Sequence, residues 1–232
     1  SPGQTWTGWL TGKVADPRKW DNEHPYLYTM KIELGNADVT TEQIEKRFGF
    51  REVEVQGNRL LVNGKPVKLR GVCRHEAHPL TGRVMTPELE RKDVELYRAA
   101  NCNFIRTSHY PPCEELLEIC DELGMFVEVE APVCWIGHHA NENWKELDYQ
   151  DSTYYPYVLQ ANMETIHFYR NHPSVIFWSI ANESYWNKEF ALVEVYVKKA
   201  DPTRPHTFHD QAYGGFNNQG STAPISNIHY PG

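Results

Sequence analysis

The 232-residue sequence has no CxxC pair and only five cysteines, Cys73, Cys102, Cys113, Cys120 and Cys134. That sparse, odd count argues against a closed zinc site and against a disulfide framework, so the thiols are expected as buried free cysteines. Positive charge is also in deficit. Lys and Arg total 23 against 31 Asp and Glu, a net charge of −8 with histidine neutral, which argues against nucleic acid and anionic membrane surfaces as partners. No apolar run approaches the roughly 18 residues of a membrane-spanning helix. Neither GxGxxG nor GxxxxGK[ST] follows any strand-like run, so the phosphate-cradling loop of many doubly wound folds is missing. Glycine and proline, 15 each, are too few for a low-complexity chain, and 40% hydrophobic residues can supply a core.

What is present divides in two. Residues 1–55 read as β structure, the C-terminal part of a sandwich. Tyr26 to Leu34 alternates at period two, with Tyr26, Tyr28, Met30, Ile32 and Leu34 on one apolar side, as in a half-buried antiparallel strand. A second β stretch is expected over Phe48 to Val55, with turns at Gln56-Gly57-Asn58 and Asn63-Gly64-Lys65. From residue 56 to 232 strands and helices alternate. Strands are expected at Val67–Val72, Phe104–Thr107, Met125–Val129, Val175–Ile180, near Thr207-Phe208 and near Asn227-Ile228. Thr86-Pro87-Glu88 opens the first helix, with Leu89, Leu96, Tyr97 and Ala100 on one face. Pro112 opens the second, which Gly124 stops. A third carries Leu159, Met163 and Ile166, and a fourth runs through Leu192, Tyr196 and Lys199.

This α/β alternation predicts a parallel sheet, and polar groups after nearly every strand favour a (β/α)8 TIM barrel over a doubly wound sheet. These groups are Arg74-His75-Glu76, Ser108-His109, Glu128 and Glu130, Asn182-Glu183, His209-Asp210 and His229-Tyr230. Six strands are counted where a barrel has eight, so the chain is expected to be a piece of a longer protein. The missing C-terminal barrel segment would then be its first partner. Glu183, delivered by an apolar strand into a partly dry rim, is a candidate general acid whose pKa such a rim would push toward neutrality.

Three segments carry a specific resemblance: Arg70-Gly-Val-Cys-Arg-His75-Glu76, Arg106-Thr-Ser-His109-Tyr110-Pro111, and Arg170-Asn-His-Pro173 through Asn182-Glu183-Ser184. Together they resemble glycoside hydrolase family 2, and Pro25-Tyr-Leu-Tyr28 and Phe48-Gly-Phe-Arg51 resemble the immunoglobulin-like sandwich that precedes its barrel. The resemblance implies a retaining exo-β-glycosidase, β-galactosidase-like in the main reading and a β-glucuronidase as alternative, acting on a carbohydrate substrate. It makes Glu183 the acid/base and Asn182 the contact to the sugar 2-hydroxyl. His75, His109, Glu130 and Tyr230 become substrate-site residues, and Trp135 a sugar-stacking surface at the barrel mouth, with Trp144 and Trp186 as further aromatic candidates and Trp178 assigned to the core. The family's nucleophile lies on the seventh strand, so the 232-residue piece is expected to have no turnover by itself.

No cofactor or metal is expected. Metal-dependent bacterial β-galactosidases of the family carry ligands after the third strand, where Cys134 and Ile136 stand here in place of a carboxylate and a histidine. His138 and His139, being adjacent, do not aim at one ion. Two readings of other classes are a non-catalytic carbohydrate-binding relative and a metal-dependent barrel hydrolase; the latter needs a strand-end HxH pair that residues 72–76 lack. Assembly as a homo-oligomer is left open.

Overall fold

Alternating apolar residues do form the first strand, but the second begins earlier than the sequence predicts. In the computed structural model, which describes residues 3–5, 7, 8, 10–36, 38–137, 153–210 and 221–228, β1 (Tyr28–Gly35) pairs antiparallel with β2 (Thr40–Phe48). The expected Phe48–Val55 stretch is instead broken at Gly49. Thr40–Phe48 carries little strand signal because TTEQIEKRF offers only Ile44 and Phe48 rather than an apolar alternation. The apolar side of β1 is also not half-buried. Met30, Ile32, Leu34 and their cross-strand neighbour Ile44 are exposed, because among the described residues no second layer covers this hairpin.

A three-stranded antiparallel sheet follows: β3 (Val53–Gln56), β4 (Arg59–Val62) and β5 (Lys65–Val67). Its second turn is Asn63-Gly64, with φ of 51° and 75°, the two positive angles that a tight two-residue hairpin turn requires. Among the described residues the parallel unit then alternates strand and helix. It runs β6 (Gly71–Arg74), α1 (Pro87–Ala99), β7 (Phe104–Thr107), α2 (Glu114–Leu123), β8 (Phe126–Glu130), α3 (Tyr155–Tyr169), β9 (Val175–Ser179), α4 (Lys188–Ala200) and β10 (His206–Thr207). Strand order is β10-β9-β8-β7-β6, all neighbours parallel, as successive βαβ crossovers in a TIM barrel demand. The expected sixth strand is reduced to a single parallel bridge between Ile225 and Thr207.

Helix boundaries follow their caps. Thr86 Oγ1 accepts from Leu89 N, with Pro87 at the first turn. Gly124 ends α2 at φ 76°, and a Cβ there would lie 2.3 Å from Asn22 O, so both backbone angle and space call for glycine. One helix face differs from expectation. On α1 the buried positions are Glu90 and Val94, whereas Leu96 is 52% exposed and Ala100 is also exposed. The reason is Arg74 at the end of β6. Its guanidinium is buried and pairs with Glu90 at 2.6 Å and Asp93 at 2.9 Å, turning the acidic side of α1 toward the sheet.

Residues alternate across the parallel strands, apart from a register irregularity between β8 and β9 that leaves Ile176 without a partner in the ladder. One set, including Ile105, Val127, Val129, Val175 and Trp178, packs outward against the helices in the main core. A second cluster of Trp20, Val53, Val62, Phe126, Ile176 and Phe177 joins the N-terminal segment to the strands. Trp20, fully buried, donates Nε1–H to Asp121 O at 2.7 Å. Arg51 fixes the same junction by donating to Pro173 O and Val175 O. Each large apolar side chain so buried contributes about 1.5–3 kcal/mol.

Candidate active site

Toward the C-terminal ends of the parallel strands the inward side chains are polar. Arg106 on β7, Glu128 and Glu130 on β8, and Ser179 on β9 share the concave side, where one would expect apolar packing. Arg106 donates to Glu130 Oε2 from Nε at 2.9 Å and from Nη2 at 2.6 Å, and Ser179 Oγ donates to the same oxygen at 2.6 Å. The other oxygen, Oε1, receives His109 Nδ1 at 2.7 Å. Burial pushes the Glu130 carboxyl up, but His109, Arg106, His209 and Ser179 outweigh it and hold the pKa at about 2. Glu130 is therefore a fixed anion that accepts from His109 Nδ1–H.

Glu128 is the neighbouring anchor. Its Oε1 accepts from Thr207 Oγ1 at 2.5 Å and from His209 Nε2 at 2.8 Å. Burial raises its pKa, and the larger opposing effect of His209 and Arg106 leaves it below the usual carboxylate value. His209 Nδ1 meets Asn227 Nδ2 at 2.9 Å, an arrangement that an Nε2–H tautomer satisfies at both nitrogens.

Beyond the strands, three loops continue side by side. Asn182 N donates to Val133 O and Trp135 N to Asn182 O; Ser184 N donates to His209 O. The parallel bridges Cys134↔Asn182 and Ser184↔Asp210 are the outcome. This ribbon carries Glu183, 7% exposed, with φ 39°, and Trp135, 43% exposed, with φ 62°. Both non-glycine residues sit in the left-handed region, which costs of order 1 kcal/mol or more each and clusters at functional sites. They meet: Trp135 Nε1–H donates to Glu183 Oε2 at 2.8 Å. Asn182, almost fully buried, has its Oδ1 on Arg106 Nη2 at 2.7 Å and its Nδ2 on Cys134 Sγ at 3.2 Å.

These groups border a cavity of about 520 Å³, lined by Cys73, Arg106, His109, Glu128, Glu183 and His209 among others. Of the residues expected in the site, Glu183 and His109 line it. Glu130 and Asn182 lie one hydrogen bond behind, on His109 and Arg106. Trp135 caps Glu183. His75 is exposed beside His109, ring centroids 5.4 Å apart, and its pKa is lowered by burial, by His109 and by Arg83. Tyr230, Trp144, His138 and His139 lie outside the described residues. Trp178 and Trp186 belong to the core: Trp178 Nε1 donates to Asp201, and Trp186 packs on Phe208 at 4.8 Å. The expectation of buried thiols fails for Cys73 and Cys134, both exposed, because Cys73 points to the concave side and Cys134 leaves the sheet on the loop ribbon.

In the sequence, Arg106 and Asn227 carry no site role, and Glu128 and His209 enter only as strand-end polar groups. Their signal was there: charges at period two inside FVEVE, beside an arginine in FIRT, are out of place in strands buried on both sides. Chemically, among the described residues, the cavity rim offers one carboxyl placed for proton transfer, Glu183. Glu130 has donors on both oxygens and is not set up as a nucleophile. A magnesium ion does not fit the loop after β8, since Cys134 brings a thiol already engaged by Asn182. The Glu76, Glu90 and Cys113 group is likewise engaged internally. Cys113 N donates to Glu76, Cys113 Sγ donates to Glu90, and burial holds that thiol at a pKa of about 12.

Comparison with known proteins agrees with this fold. Residues 53–229 match the family described as glycosyl hydrolases family 2, TIM barrel domain, and residues 3–51 match glycosyl hydrolases family 2. A putative beta-glucuronidase of Formosa agariphila is 39% identical over 180 residues, covering 76% of this chain and 20% of that protein. The structure of a beta-D-glucuronidase from Dictyoglomus thermophilum superposes with a TM-score of 0.79 at 33% identity, over 92% of this chain and 37% of that one. Ruminococcus gnavus beta-glucuronidase superposes with a TM-score of 0.77 at 29% identity, over 84% and 34%. The chain thus spans a fifth to about a third of the length of these relatives. With a parallel sheet whose strand ends gather the polar groups and a family match over most of its length, the chain belongs to glycosyl hydrolase family 2.

Proposed function

We propose that this chain supplies the acid/base side of the active site of a retaining exo-β-glycosidase with β-glucuronidase specificity. The observation that carries the reading is the buried Glu183 at the cavity rim, next to an Asn182 whose amide is oriented from both ends. Glu183 protonates the glycosidic oxygen as the bond to the anomeric carbon breaks. A second carboxylate, supplied by the full-length protein outside this chain, forms the glycosyl-enzyme bond. Glu183 then takes a proton from the water that releases the sugar. Asn182 donates to the 2-hydroxyl, a contact that tightens in the transition state, and His109, fixed by Glu130, faces the same cavity. The names of the relatives support glucuronides over the galactosides expected from the sequence.

The test is a panel of aryl β-glucuronides, β-galactosides and β-mannosides given to the full-length protein and its Glu183→Gln variant. The expected result is turnover of glucuronides, with Glu183→Gln losing activity steeply for poor leaving groups and much less for activated ones. Turnover of galactosides alone would return the specificity to the first expectation. Sugar binding without turnover would favour a non-catalytic carbohydrate-binding protein, and equal activity of variant and parent would remove Glu183 from the mechanism.

A further inference from the structure

Asn182 leaves β9 with both ends of its amide committed. Oδ1 accepts from Arg106 Nη2 at 2.7 Å, and a guanidinium can only donate, so the oxygen must face Arg106 and the nitrogen must face the other way. On that other side stands Cys134 Sγ, 3.2 Å from Nδ2. The sulfur is there because the backbone holds it there: the Cys134↔Asn182 bridge is closed by Asn182 N on Val133 O and Trp135 N on Asn182 O. Partial desolvation by its neighbours, with Glu130 and Glu183 nearby, pushes the Cys134 thiol up, so the acceptor is the neutral sulfur. Arg106 is itself immobilised by its two bonds to Glu130. The amide therefore sits between a clamped cation and a clamped sulfur.

We propose that Cys134 is a positioning residue for the substrate's 2-hydroxyl. Its sulfur takes one of the two Nδ2 hydrogens of Asn182 and thereby aims the second at the sugar. This inference rests on the role given to Asn182 above and adds the residue that sets its direction. Without the sulfur, Arg106 still fixes the flip of the amide but not its tilt about the Cβ–Cγ bond, a torsion that is intrinsically broad. Cys134 touches no reacting atom. Its effect reaches the reaction only through Asn182, and only for a substrate that carries the 2-hydroxyl.

The experiment compares Cys134→Ala, Cys134→Ser and Asn182→Ala in the full-length protein on an aryl β-glucuronide and on its 2-deoxy counterpart. Cys134→Ala is expected to lower kcat/KM about five- to tenfold on the hydroxylated substrate and less than about twofold on the 2-deoxy one, a difference of about 1 kcal/mol in transition-state binding. Cys134→Ser, which keeps an acceptor, is expected to recover most of the loss, and Cys134→Ala added to Asn182→Ala should cost nothing more. Equal losses on both substrates would reduce Cys134 to a packing role and overturn the proposal, as would no loss on either. If Asn182→Ala itself fails to distinguish the two substrates, the reading of Asn182 falls and this proposal with it. If Asn182→Ala distinguishes them and Cys134→Ala does not, only Cys134 is removed.

Discussion

Arg106 and Glu130 form a two-pronged ion pair across neighbouring strands, with both Nε and Nη2 on a single carboxylate oxygen at 2.9 and 2.6 Å. Both side chains are buried, and the pair is the hub on which His109, Ser179 and Asn182 are hung. Removing one member leaves the other charged and without its counter-ion. Arg106→Met is expected to lower the unfolding free energy by about 3–5 kcal/mol, read from urea unfolding of the full-length protein, with part of the loss recovered by adding Glu130→Gln. A loss under about 1 kcal/mol would show that His109 and Ser179 hold the Glu130 charge without the guanidinium.

The same pair sets a pH dependence. Glu130 titrates at about 2 in the folded chain against an ordinary 4.5. Above 4.5 its stabilisation is complete. As pH falls from 4.5 toward 2 the unfolded chain takes up the proton first and the folded state loses the advantage. The full effect is on the order of 3 kcal/mol. Glu128, also depressed, acts in the same direction. Glu130→Gln should flatten the fall in stability across this window, and an unchanged slope would place the acid sensitivity elsewhere.

Gly124→Ala tests the end of α2. The substitution puts a methyl group 2.3 Å from Asn22 O at a backbone angle that disfavours any L side chain. A loss of more than about 1 kcal/mol in thermal or urea unfolding is expected, against the 0.4–1 kcal/mol gain such a change gives at a compatible site.

Trp135→Phe keeps the ring and deletes the donor to Glu183 Oε2. With this donor to the carboxyl gone, kcat on an aryl glycoside should drop about tenfold, while KM moves less than twofold. A rise in KM with kcat intact would instead make the indole a sugar-stacking surface.

Much of this layout is legible in the sequence. β7 falls where FIRT predicts it, because an apolar strand bounded by a loop and a proline-rich turn has few alternatives. The Asn182-Glu183 pair was found from the apolar run VIFWSIA that delivers it. The rest depends on contacts between units. Nothing local says that Glu90 turns inward, since that is decided by Arg74, 16 positions earlier. Nothing local says that Cys134 meets Asn182 or that His209 meets Glu128, pairs that are 48 and 81 residues apart. β2 was missed because its nine residues carry little apolar pattern and owe their extended form to pairing with β1.

The backbone ladder beyond the strands, which ties residues 133–136 to 182–185 and 184 to 209, has a consequence for engineering. In many barrels a crossover segment is a cassette that can be exchanged to change what the mouth admits, leaving the chemistry beneath untouched. Here residues 133–136 after β8 brace Glu183, the proposed proton donor, so transplanting that segment from a relative is expected to move selectivity and turnover together.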